Sequence, residues 1–131
     1  EHFLATVAGF KIGNPTDPAT YIGAITRTPQ LAVLDDQVAD ARAKGATLRC
    51  GGKRLPGPGN WYAPTVFTEV DHTMALMREE SFGPIIGIQK VRDDDEALAL
   101  MNDSRYGLTA GVYTPDEARA RWRSRSPPSC G

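Results

Sequence analysis

The sequence predicts an α/β fold built from parallel βαβ units. Three observations carry that prediction. From Ile85 onward the chain alternates apolar strand, helix, second apolar strand and helix. Ile85, Ile86, Ile88 and Val91 place apolar residues on both faces of one short run, as in a parallel strand covered by helices. Helix-start signals recur between the apolar runs, at Thr28-Pro29, at Asp93 with Glu96, and at Thr114-Pro115-Asp116-Glu117. With right-handed crossovers, such a chain places successive strands side by side in one sheet.

In chain order, Phe3, Leu4, Val7 and Phe10 recur at helical spacing with no N-cap before them, so a helix already under way is expected there. That pattern predicts further sequence upstream. Gly13-Asn14-Pro15-Thr16-Asp17-Pro18 is a turn-rich loop. At Thr28-Pro29 a helix begins, with Thr as N-cap and Pro at N1. Leu31, Leu34, Val38 and Ala41 line one of its faces, and Lys44-Gly45 end it with a cation and a C′ glycine. Ala46 to Cys50 is a short strand, and Gly51 to Asn60 a surface loop. Tyr62 to Val70 alternates weakly and is broken by Pro64, which predicts an irregular strand near a sheet edge. Met74 to Met77 forms an apolar turn into Glu79-Glu80-Ser81-Phe82-Gly83-Pro84, and Ile85 to Val91 is a strand. Asp93 and Glu96 form a capping box for a helix to about Met101 that buries Ala97, Leu98 and Met101. Leu108 to Tyr113 is the second apolar strand, and a last helix starts at Thr114-Pro115.

Composition narrows the function. The chain has 131 residues, 40% hydrophobic and 24% charged, with a formal net charge of −1. Those values suit one soluble domain and point to no nucleic acid or membrane partner. No apolar run approaches the roughly 20 residues of a membrane span, and Glu1 to Gly9 lack the basic start of a signal peptide. Two cysteines are too few for a disulfide framework, so a cytoplasmic location is expected. His2 and His72 lie in no Cys/His cluster, and no metal site is expected. From Ala118 onward four arginines occur without Asp or Glu, leaving an acidic body and a basic tail.

Adjacent Glu79 and Glu80 admit two readings, a paired-carboxylate acid/base site or a solvated loop. The glycines around Lys53 and Pro58 match neither GxxxxGK[ST] nor GxGxxG, and they read as a plain surface loop. Cys50 has no base near it in sequence and reads as a buried, inert thiol. Trp61 and Tyr62 read as packing residues.

At Met77-Arg78-Glu79-Glu80-Ser81-Phe82-Gly83-Pro84 the sequence resembles the aldehyde dehydrogenase superfamily. Four other stretches resemble it in the same order. They are Val7 to Pro18, Gly45-Ala46-Thr47-Leu48 with Cys50-Gly51-Gly52-Lys53, Tyr62 to Phe67, and Asn102-Asp103-Ser104 with Tyr106 to Thr114. The resemblance implies NAD(P)-dependent oxidation of an aldehyde to a carboxylic acid through a thiohemiacetal, with NAD or NADP as cofactor and homo-oligomeric full-length proteins. It implies that Glu80 accepts hydrogen bonds from the hydroxyls of the nicotinamide ribose and that Phe82 packs at the nicotinamide end. Gln30 aligns with a position that approaches the same ribose.

The resemblance also implies that a cofactor domain, a general-base Glu and a nucleophilic Cys belong to segments upstream of residue 1. Cys50 and Cys130 match that nucleophile in neither motif nor context. The expectation is a partial aldehyde dehydrogenase-like catalytic domain over residues 1–118, with the cofactor-domain and C-terminal segments missing and no activity in the isolated chain. Residues 119–131 form an atypical Arg/Ser/Pro-rich tail, expected to be disordered or read out of frame. The rival reading is a basic tail that binds an acidic partner. The rival function is a non-enzymatic binding or self-associating module derived from that domain.

Overall fold

The computed structural model describes residues 1–124, and the chain divides into two units, Glu1–Lys90 and the part from Val91 onward. The first contains helix α1 (His2–Ala8), helix α2 (Thr28–Ala43), strands β1 (Thr47–Cys50) and β2 (Thr65–Thr68), the one-turn helix α3 (Ala75–Arg78) and strand β3 (Ile85–Ile88). The second contains helices α4 (Asp94–Asn102) and α5 (Glu117–Ser124).

The three strands form one sheet in the order β1-β2-β3. β1 runs antiparallel to β2, with Leu48 opposite Phe67. β2 runs parallel to β3, with Thr65 opposite Ile85 and Thr68 opposite Ile88. The parallel crossover thus joins β2 to β3 through α3. The edge position expected for Tyr62 to Val70 is corrected, because β2 is the central strand and Thr65, Val66 and Phe67 are buried. Pro64 stands one residue before the ladder, where its missing N–H costs no pairing, and Thr65 N–H opens the ladder by donating to Pro84 O at 2.8 Å.

The core gathers under α2. Leu31, Leu34, Val38 and Ala41, the predicted helix face, pack with Tyr62, Phe67, Val70, Met74 and Leu76. The helix begins one residue earlier than expected, at Thr28, after an extended Arg27. Thr28 makes no cap; its Oγ1 is hydrogen-bonded to Asn60 Oδ1 at 3.2 Å. At the other end Gly45 takes φ 91° just past the helix, a conformation that suits glycine.

The Gly51-Gly52 pair serves the sheet. Gly51 has φ 75°, and a Cβ there would stand 2.6 Å from Thr65 Oγ1. Gly52 N–H donates to that same oxygen at 2.8 Å. The glycines let the loop after β1 close against β2, which accounts for them without a phosphate ligand.

β3 is only partly covered on one side, where Phe3 of α1 lines open clefts over Ile86 and Ile88. Ile85 and Gly87 turn inward, while Ile86 and Ile88 are 46% and 39% exposed, so the expected cover on both faces is incomplete in this unit.

In the second unit the Asp93 cap is present, with its Oδ1 accepting from Glu96 N–H at 2.9 Å. Glu96 reaches back one residue further than a capping box requires and accepts from Arg92 N–H at 2.6 Å. The burial expected for Ala97, Leu98 and Met101 is corrected: no residue of α4 is fully buried and Met101 is 47% exposed, the three side chains lining an open cleft with Val112. The strand expected over Leu108 to Tyr113 does not form. Leu108 and Tyr113 are fully exposed, and no described strand pairs with this segment, so neither burial nor a ladder holds it extended. The last helix is capped two residues later than predicted, with Arg119 N–H donating to Asp116 Oδ1 at 3.1 Å. Arg119 also grips Asp94, with Nη2 to Oδ1 at 2.6 Å. The stretch from Arg119 to Ser124 is helical, and the remainder of the Arg/Ser/Pro-rich tail lies outside the described residues.

Two contacts can be tested by unfolding. A Cβ on Gly83 would meet Leu34 Cδ1 at 2.6 Å and Cδ2 at 2.8 Å, and Leu34 has no exposed surface. Gly83→Ala is expected to cost about 1–3 kcal/mol in urea unfolding. In a Leu34→Ala background, itself costing about 2–5 kcal/mol, the same substitution should cost far less, since the crowding atoms are gone.

The second contact is the hold of α2 on α3. Asp40 Oδ2 accepts from Ala75 N–H at 2.7 Å, and Lys44 Nζ stands 2.7 Å from Asp40 Oδ1. Lys44 and the Ala75 amide hold the Asp40 carboxyl below its usual value of 3.8. Asp40→Asn should therefore destabilise by roughly 0.5–1 kcal/mol at neutral pH. Because the folded-state value is depressed, the wild-type advantage is complete above the ordinary carboxylate value and fades as pH falls below it. Unfolding curves for both proteins across that range measure the difference.

Candidate functional site

The loop Glu79–Pro84 enters from α3 and leaves into β3. Its ends are fixed by backbone bonds. Glu79 N–H donates to Ala75 O at 2.8 Å, closing α3. Pro84 O accepts from Thr65 N–H at 2.8 Å, and Gly83 O accepts from Ile85 N–H at 2.8 Å. Gly83 lies against Leu34 so closely that no side chain fits between them. Gly83 before Pro84 is thus a packing requirement.

Between those anchors the loop turns outward. Glu80 is exposed, and Phe82 is 74% exposed although rings of that size normally lie inside. Phe82 also has φ 41°, in the left-handed region. For a residue with a Cβ that conformation costs roughly 1–2 kcal/mol. An exposed aromatic on a strained backbone is not explained by packing, and such residues concentrate at binding sites.

Gln30, in the first turn of α2, reaches this loop. Its Nε2 donates to Ser81 O at 2.6 Å, and the bond is half-buried. A neutral bond of this kind contributes about 0.5–1.5 kcal/mol, comparable with the cost of the Phe82 conformation. The structure therefore brings Gln30, Glu80 and Phe82 to one place, although Gln30 enters through the backbone of Ser81.

Cys50 lies elsewhere, in β1. Its Sγ is half-buried and contacts Pro64 O at 3.6 Å, so it is turned into the sheet. No group of three His, Cys, Asp or Glu able to hold a metal occurs among the described residues. Among the same residues no helix is long and apolar enough to cross a membrane.

Sequence reasoning missed the residues that support the loop from behind. Leu34 was visible only as a core position, and its contact with Gly83 depends on tertiary approach. Asp40 and Lys44 carry a signal at i, i+4, but their targets, Ala75 N–H and Thr73 O, lie 35 and 29 residues away, beyond both β1 and β2.

The model of the aldehyde dehydrogenase family matches residues 1–127. The chain is 40% identical over 121 residues to succinate-semialdehyde dehydrogenase [NADP(+)] 1 of Mycobacterium ulcerans, covering 92% of this chain and 26% of that protein. It is 43% identical over 118 residues to succinate-semialdehyde dehydrogenase [NADP(+)] of Mycobacterium avium, covering 90% and 25%. Its fold superposes with a TM-score of 0.86 on the crystal structure of Mycobacterium tuberculosis aldehyde dehydrogenase complexed with NAD+, at 36% identity, covering 92% of this chain and 26% of that one. The chain thus spans about a quarter of the length of the proteins it matches. Over that span, in sequence and in fold, the chain belongs to the aldehyde dehydrogenase family.

Proposed function

We propose that this chain supplies the nicotinamide-ribose wall of an NAD(P)-dependent aldehyde dehydrogenase, with Glu80 and Phe82 as the contacting side chains. The observation that carries the reading is Phe82, an aromatic 74% exposed and held at φ 41° beside an exposed carboxylate. The residues suit the cofactor. The Glu80 carboxylate accepts hydrogen bonds from both hydroxyls of a ribose diol. The open ring of Phe82 offers a flat apolar surface to a nicotinamide and limits its motion. When bound, the nicotinamide serves as the hydride acceptor of the oxidation.

The chain's own chemistry stops at positioning. Cys50 is half-buried with its Sγ on Pro64 O, and it is not the attacking thiolate. The 131-residue chain alone is therefore inactive, and its family's reaction draws on a thiolate and a general base outside it. The first aldehyde to test in a whole protein is succinate semialdehyde, the substrate in the names of the mycobacterial relatives.

A second reading has its own observation. Phe3, Ile86 and Ile88, each more than a third exposed, leave an apolar face on the first unit. A self-associating, non-enzymatic module would use it.

Two measurements separate these readings. The purified chain with NAD+ or NADP+ and a panel of aldehydes should form no reduced cofactor above blank, and turnover would overturn the inactivity. With nicotinamide mononucleotide, binding in the millimolar range should move the NMR signals of Glu80 to Phe82, and Glu80→Gln should weaken it on the order of fivefold. Signals that stay in place would refute the ribose-wall reading. Gel filtration tests the second reading, which requires one defined oligomer that Ile86→Lys returns to monomer; a wild-type monomer rejects it.

A further inference from the structure

Gln30 is placed to do more than neighbour the loop. Between the anchors at Glu79 and Gly83, the described hydrogen bond that reaches the middle of the loop is Gln30 Nε2 to Ser81 O, at 2.6 Å. That carbonyl belongs to the peptide plane joining Ser81 to Phe82. Turning the plane changes ψ of Ser81 and φ of Phe82 together and in opposite senses, since those are the two soft dihedrals on either side of it. A plane free to turn would carry Phe82 out of the left-handed region that its Cβ disfavours. The observed φ of 41° is therefore the conformation in which Ser81 O faces the Gln30 amide.

The donor is itself well held. Gln30 sits in the first turn of α2, four residues before Leu34, which is completely buried and lies against Gly83. The helix thus grips the loop twice, by apolar contact at Gly83 and by a hydrogen bond at Ser81. The first fixes where the loop runs, and the second fixes which way its central peptide faces.

We propose that Gln30 is a positioning residue. By pinning the Ser81–Phe82 peptide plane it keeps Phe82 in its left-handed conformation, and so aims the Phe82 ring and the neighbouring Glu80 carboxylate at a nicotinamide ribose. The aim of that assignment rests on the ribose-wall reading above, whereas the pinning of the plane does not.

The experiment uses NMR on the full 131-residue chain. A left-handed residue brings its own amide proton and Hα close together, so the intraresidue nuclear Overhauser effect of Phe82 should be strong in the wild type. Gln30→Met keeps the length and removes the donor; that signal should fall to the level of an ordinary extended or helical residue. Gln30→Lys restores a donor of similar reach and should bring it back. Amide signals of Thr47–Cys50 and Thr65–Thr68 should stay in place in both variants, separating loop rotation from a general loss of structure. A Phe82 signal unchanged in Gln30→Met overturns the proposal, as does one that is lost equally in the Lys variant. Nicotinamide mononucleotide is then added. Binding weakened several-fold in Gln30→Met and recovered in Gln30→Lys supports the positioning role. A rotated loop with unaltered binding leaves the pinning intact and overturns the aiming, whereas wild-type Glu80 to Phe82 signals that stay in place on adding the mononucleotide refute the ribose-wall reading and not the pinning.

Discussion

The contact between Leu34 and Gly83 sets the limits within which the first unit is built. Leu34 is the fully buried centre of the α2 face, and Gly83 is the point where the Glu79–Pro84 loop crosses it. With no Cβ at 83, the loop comes close enough for Pro84 O to reach Thr65 N–H, and that bond starts the parallel register of β2 with β3. A larger residue would push the loop from the helix and β3 from its partner in one movement. Helix, loop and sheet edge therefore share a single steric constraint, as expected of close-packed interiors that transmit small displacements.

Around that point the loop divides into parts with different roles. α3 is held from α2 by Asp40 and Lys44, and the outgoing strand is held by the ladder. What lies between is a short span whose side chains, Glu80 and Phe82, have been given to solvent. Rigid ends with an outward middle satisfy what a binding loop needs: side chains released from packing, on a backbone that cannot wander. The strain at Phe82 fits the same account, since a disfavoured φ persists only where neighbours over-determine it.

Much of this was legible in the residues. The face Leu31, Leu34, Val38 and Ala41 was readable from its spacing and is buried as a set. Gly45 as the end of α2, the short strand after it, and Asp93 as a cap could each be read from a local rule, because the physics behind each is local. What failed depended on distant partners. Pro64 suggested an edge, but its position just outside the ladder makes it compatible with the sheet's centre. Leu108 to Tyr113 has strand composition, yet a strand also needs a neighbour, and none of the described strands provides one. At the site, the motif singled out Glu80 and Phe82, whereas the way Gln30 meets them could not be read. Its partner is a backbone carbonyl 51 residues away, and a carbonyl leaves no mark in a sequence.

The strand order has a consequence for how such a chain acquires its shape. β2 is central; its antiparallel neighbour precedes it across residues 51–64, and its parallel neighbour follows it across residues 69–84. A polypeptide lengthening from its amino end can close the hairpin once Thr68 has emerged, then dock β3 onto the free side as soon as Ile88 follows. Neither step waits for residues beyond Lys90, and each closes only a modest loop, for which the entropic penalty is small. The sheet that fixes the Glu80 and Phe82 loop can therefore assemble during synthesis, from the ribosome outward, ahead of whatever surfaces it later meets.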